Sequence, residues 1–228
     1  MDSTKQREDI RNIAIVAQDR RSARRLRALL ERQGILVEDE TGWTFSTTAA
    51  SALLMRWLDL LAEDFYYQHL LDFLKSPWVL SGTDREQRRV AVAELELLIR
   101  EHNVASGLSH YLAVAQSANK TECSSTLKLL QNSAQAWKMR RSLPLTEWLA
   151  LLRTTLDDLE ITQAFANDMA GAQLLDNLKL AALELEGAGE RYHFSEFRQW
   201  LNQQFETATF LDSGISSSIV FTHLAAPR

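Results

Sequence analysis

Six arginines stand between positions 20 and 32 against a single acid, Glu31. Arg20, Arg24 and Arg27 recur at helical spacing on one face, with Arg21 and Arg25 on the adjacent one. Such a stripe of guanidinium groups fits phosphates. The segment carries a formal charge of +5, which leaves −10 on the rest of a chain whose net charge is −5. A basic helix on an acidic body can contact a polyanion locally, so weak, phosphate-directed DNA binding is the chemistry expected here. The competing reading is a solvated helix whose arginine stems cover apolar neighbours or whose heads pair with Glu31. Arg85, Arg88, Arg89 and Lys138, Arg140, Arg141 are smaller basic clusters.

Other chemistry lacks a starting point. There is no G-x-x-x-x-G-K-(S/T), no G-x-G-x-x-G and no H-E-x-x-H in the chain. The five histidines, His69, His102, His110, His193 and His223, have no carboxylate or cysteine at ligand spacing, and Cys123 has no second thiol. Asp157, Asp158 and Glu160, like Glu94, Glu96 and Glu101, read as solvated helix faces. No strand pair offers the acid and E-x-K of a PD-(D/E)XK nuclease. No catalytic residue, metal or cofactor is therefore expected.

The elements that would carry these residues are mostly helical. With 46% hydrophobic residues in 228, but three Pro and eight Gly, the chain can bury a core and has few of the turns a β-sandwich needs. One cysteine and no leader pattern point to the cytoplasm. No apolar run nears the ~18 residues of a membrane span, so no membrane partner is expected.

Ile13-Ala14-Ile15-Val16 reads as a buried strand feeding a helix from Arg20 to Gln33, with Asp19 as its cap and Gly34 ending it. Ile35-Leu36-Val37 reads as a second strand, making Ile13 to Asp39 a β-α-β unit. Helical spacing then takes over. Ser46 or Thr47 caps a helix bearing Ala50, Leu53, Leu54, Trp57, Leu58 and Leu61, and further helices fall near 67–75, 84–101, 106–117, 124–140, 146–156, 170–186 and 195–205. Trp57, Trp78, Trp137, Trp148 and Trp200 lie in or beside apolar stripes and read as core. Ser218 to His223 is a last strand, and the sequence stops five residues after it. An excised module with a large insertion is expected, its terminal strand a poorly covered edge.

The order of strand, arginine-rich helix, Gly-Ile, strand, Gly-x-x-Phe, helical insertion and final strand in Thr-His resembles part of the second RecA-like domain of UvrD-type superfamily I helicases. It is closer still to the degenerate helicase-like half of AddB and RecB-type proteins. The family's motif IV, I-L-Y-R-(S/T)-N-x-x-S-R, corresponds to Ile15-Val16-Ala17-Gln18-Asp19-Arg20-Arg21-Ser22-Ala23. Its nucleotide-contacting arginine falls on Ala17, and the arginine after the serine falls on Ala23. Thr41-Gly42-Trp43-Thr44-Phe45 matches Gly-Gly-x-x-Phe at Gly42 and Phe45. Motif V, T-(L/V)-H-x-A-K-G-L-E, corresponds to Phe221-Thr222-His223-Leu224-Ala225-Ala226-Pro227-Arg228: His223 and Ala225 match, but Lys becomes Ala226 and Gly becomes Pro227.

The resemblance implies a mainly α protein, with an irregular helical domain (residues 46–211) inserted into an incomplete RecA-like α/β domain with a small parallel sheet (residues 1–45 and 212–228). It implies an inactivated, non-catalytic helicase-like part of a DNA repair or recombination helicase-nuclease, which guides DNA and meets other domains or subunits. The alternative is a helical interaction module that docks a partner subunit without touching DNA, favoured by the −10 balance outside the basic helix.

Overall fold

The structure is a computed structural model that describes residues 13–17, 19–39, 42–138, 142–211 and 217–223; the side chains of Arg20, Arg21, Arg24, Asp39, Phe221 and His223 lie outside that description. The fold is mainly α. In chain order come β1 (Ile13–Ala17), α1 (Arg20–Arg32), β2 (Glu38–Asp39) and β3 (Trp43–Thr44). A long helical run follows: α2 (Ala49–Ala62), α3 (Tyr67–Leu74), α4 (Arg85–His102), α5 (Leu108–Ser117) and α6 (Thr121–Lys138). Then come β4 (Leu143–Pro144), α7 (Leu145–Asp158), α8 (Ile161–Ala166), α9 (Met169–Glu184), β5 (Arg191–Tyr192), α10 (Phe194–Thr207), β6 (Thr209–Phe210) and β7 (Ile219–His223). These elements form two compact units, one of Met1–Thr44 with Ala208–Arg228, the other Phe45–Thr207.

In the first unit β1, β7 and β2 form a parallel sheet in that order, with Ile13 opposite Ile219 and Ala17 opposite His223. The terminal strand is thus the central one, and the expectation that it would form an exposed edge is corrected: among the described residues β1 and β2 are the edges. The second strand also begins later than its apolar residues suggest. Ile35 and Leu36 are 38% and 57% exposed, only Val37 is buried, and Ser217 Oγ donates to the Leu36 carbonyl before ladder pairing starts at Glu38. Asp19 caps α1 by accepting from Ser22 N at 2.8 Å, and Gly34 takes the left-handed backbone, φ 74°, just beyond its end. β3 and β6 add an antiparallel ribbon that no alternation in sequence announces, being two residues on each side.

The second unit holds nearly all of the core. Thr48, rather than Ser46 or Thr47, caps α2, because Phe45–Thr47 form a 3-10 turn first. Trp57, Trp137 and Trp148 are buried, whereas Trp78 and Trp200 are half-buried. Trp137 and Trp148 stack at 5.6 Å between centroids, and Trp148 stacks on Phe197 at 5.5 Å. Their indole N–H groups are both satisfied: Trp137 donates to Thr155 Oγ1 at 2.9 Å and Trp148 to the Tyr192 carbonyl at 3.0 Å. This cluster ties α6, α7, β5 and α10 together. Short α8, missed between two longer periodic stretches, buries Ile161 and Phe165 against α9.

Candidate nucleic-acid interface on the arginine helix

The β1-to-α1 junction lies at the carboxyl edge of a parallel sheet, the side on which α/β proteins bind their ligands. The parallel register sets Val16 beside Thr222 and Ala17 beside His223, so the two strand ends matched to motif IV and motif V are neighbours. A cavity of about 260 Å³ opens there, lined by Ile15, Val16, Ala17, Asp19, Ser22, Ala23 and Leu26. Asp19 is the one charged group among the described residues of this lining, and its carboxylate accepts from the Ser22 amide at the helix start. Among the described residues of this lining an anion would meet apolar side chains, the Ser22 side chain and a carboxylate, and Ala17 and Ala23 offer it no charge. Ala226 and Pro227 lie outside the described residues, as does the side chain of His223.

The arginine stripe divides by what each side chain touches. Arg27 is half-buried; its Nε donates to Glu31 Oε1 at 2.6 Å, one helical turn on, and its guanidinium stacks over Trp43 at 5.2 Å from the ring centroid. It holds the ribbon strand β3 against α1, a packing and cation–π role. Arg25 is exposed. The side chains of Arg20, Arg21 and Arg24 lie outside the described residues, although their backbones form the first turns of α1. Sequence spacing placed Arg27 on the phosphate stripe and gave no sign of its aromatic partner; Trp43, next to Gly42, was read only as part of a packing match.

The remaining candidate groups are structural. His69 bridges α2 and α3: Arg56 Nη1 donates to its Nδ1, and its Nε2 lies 3.1 Å from Glu63 Oε2. Asp157 accepts from Thr162 Oγ1 at 2.5 Å, and Glu160 accepts from Gly82 N at 2.9 Å, so these two acids organise the turns around α8. Glu94 pairs with Lys120 at 3.5 Å, and Lys138 with Asp64 at 3.9 Å, while Arg140 and Arg141 lie outside the described residues. Burial pushes the Cys123 thiol up to about 12, far from nucleophilic use at neutral pH. Among the described residues no group of three or more His, Cys, Asp and Glu side chains could hold a metal ion, and no helix is long and apolar enough to cross a membrane. Neither a protein-family model nor a curated protein matches this sequence.

Proposed function

We propose that this chain is a non-catalytic, helicase-like part of a larger DNA repair or recombination helicase-nuclease, serving as a scaffold that guides DNA. One observation carries the reading. The positions matched to motifs IV and V are paired across adjacent parallel strands, yet the cavity between strand and helix is lined by Ala17 and Ala23 where the family has arginines. That strand pairing, with alanines at the two matched arginine positions, supports an arrangement inherited without its nucleotide chemistry. ATP hydrolysis is accordingly not expected of the isolated chain, and the single cysteine supports a cytoplasmic setting.

DNA contact in this reading falls to Arg20, Arg21, Arg24 and the exposed Arg25, with Arg27 holding Trp43. Charge reversal at Arg20, Arg24 and Arg25 tests it. The triple Glu variant is expected to bind labelled DNA at least about tenfold more weakly and with a flatter salt dependence, because each lost phosphate contact removes about one released counterion from the slope. Unchanged affinity would remove DNA guiding from the account.

A specific observation favours the second reading, a partner-docking module. Ile13, Val16, Leu26, Leu29, Ile35 and Leu36 of the first unit are all more than a third exposed. Apolar exposure concentrated in one small unit is the mark of an interaction surface. Co-purification with a partner subunit that survives nuclease treatment, together with no DNA affinity, would select this reading over the first.

A further inference from the structure

Arg85, Arg88 and Arg89 open α4 at the end where cations are least favoured. Aligned peptide dipoles raise a positive potential at a helix N-terminus, where acids stabilise and bases do not. Asp84 caps this helix through the amides of Glu86 and Gln87, and Glu86 is the one acid of the first turn. Arg89 binds Glu86 through two nitrogens at 2.6 and 2.8 Å, and that pair accounts for one arginine. Arg88 is pinned to the preceding loop, its Nη1 donating to the carbonyls of Pro77 at 3.2 Å and Val79 at 2.9 Å, while its Nε is buried with no acceptor. Arg85 is exposed and has no hydrogen-bonding or ionic partner among the described residues.

These arginines border a groove of about 700 Å³ between the end of α3 and the first half of α4. Its apolar lining is Leu74, Pro77, Val92 and Ala93, and Lys75 extends the basic rim. The one carboxylate of the lining, Glu96, is already engaged by Lys75 at 3.4 Å and by Arg100 at 2.6 Å. The volume falls within the range of about 300–1,000 Å³ in which proteins hold discrete ligands.

We infer that this groove receives an acidic peptide segment, its apolar side chains against Leu74, Pro77, Val92 and Ala93 and its leading carboxylate on Arg85, with Arg89 and Lys75 at the rim shared between the peptide and Glu86 and Glu96. Charge complementarity names the occupant: four cations line the groove against one carboxylate, Glu96, which Arg100 from outside the lining already holds at 2.6 Å. The aliphatic lining separates a peptide from nucleic acid. Single strands bind on aromatic platforms and duplexes through phosphates, and no residue of this lining is aromatic. An extended peptide of alternating acidic and apolar residues presents one kind of side chain to each side, which matches an apolar wall beneath a basic rim. The surface belongs to the unit Phe45–Thr207 and uses none of the α1 arginines, so it stands apart from the function proposed above.

The test is fluorescence anisotropy on the whole chain with a labelled peptide of alternating Glu and Leu, beside a Lys and Leu counterpart and a labelled single-stranded oligonucleotide. Two variants accompany it, Arg85→Glu with Arg89→Glu, and Ala93→Trp, which fills the groove and leaves every charge in place; all three positions are exposed. The acidic peptide should bind and the basic one should not, and each variant should weaken binding by about tenfold or more. Failure of the acidic peptide to bind, or undiminished binding to Ala93→Trp, overturns the inference. An oligonucleotide that displaces the peptide and still binds Ala93→Trp, but not the double variant, assigns the arginines to phosphates and also overturns it. If either variant loses its thermal transition, peptide-induced amide shifts in the unaltered protein decide: they should centre on residues 74–77 and 85–96, and shifts elsewhere contradict the assignment.

Discussion

Thr155 shows how much of this core depends on single polar atoms. Its hydroxyl accepts from the Trp137 indole and donates to the Leu151 carbonyl, at 2.9 and 3.0 Å, with both side chains almost fully buried. Thr155→Val keeps the volume but leaves the indole N–H without a partner, so urea unfolding should register a loss of about 1–3 kcal/mol. Alkaline stability has its own residues. Burial raises the Cys123 thiol from its ordinary 9.0 to about 12, and burial followed by the charge of Asp64 raises Tyr111 from 10.0. Both groups hold their protons more tightly folded than unfolded. Their contribution is therefore complete below the unfolded values and is lost as pH rises through the folded ones. Chemical-denaturation midpoints should fall as pH climbs above 9.0, less steeply in Cys123→Ala; a flat profile would contradict these assignments. Sequence spacing made Trp57, Trp137 and Trp148 legible as core, because helical periodicity reports burial, while Trp78 and Trp200 are only half-buried. It gave no sign of Arg27's contact with Trp43, since a cation–π partner sixteen positions away leaves no periodic trace.

Helices were legible as elements because of their apolar stripes, with side-chain caps on α1, α2, α4 and α9, and α4, α7 and α10 begin and end within two residues of where spacing set them. The strands were less so. Ile35 and Leu36 have strand chemistry but face outward, and the pairing falls on Glu38 and Asp39, whose acidic side chains disguise it. The ribbons β3–β6 and β4–β5 have no alternation to detect at two residues per strand. Gly42 is better understood from the ribbon than from any motif. Its φ is 65°, and a Cβ there would stand 2.4 Å from Thr209 Cγ2 and 2.5 Å from the Phe210 carbonyl oxygen. Gly42→Ala should thus destabilise the ribbon by more than the about 1 kcal/mol of an unhindered left-handed site, read as faster amide exchange at Thr209 and Phe210. β7 matters most to the sheet, because β1 and β2 pair through it alone. Thr222→Pro removes a ladder N–H from this central strand, so amide protection at Ile13–Ala17 should vanish while that of Thr121–Lys138 remains.

The two units divide the stability of the molecule unequally. Val37 is the single fully buried residue among the described residues of the first unit, whereas the second buries the aromatic cluster and most of the leucines. At about 1.5–3 kcal/mol for each large apolar side chain removed from water, the first unit has little to hold it, and its exposed Ile13, Val16 and Leu29 are contacts not made. Heating should give two transitions, with the first unit lost at the lower temperature, and limited proteolysis should leave a core close to Phe45–Thr207. A single cooperative transition would contradict this division. The same imbalance suits a piece that works against other domains, which is where the proposed scaffold role and the docking reading meet. The most direct measurement follows labelled single-stranded and duplex-end DNA by anisotropy at low and moderate salt, with ATP hydrolysis recorded in the same samples. Binding should weaken steeply as salt rises, with no hydrolysis. Hydrolysis above background, or the absence of binding at either salt, would contradict the scaffold role.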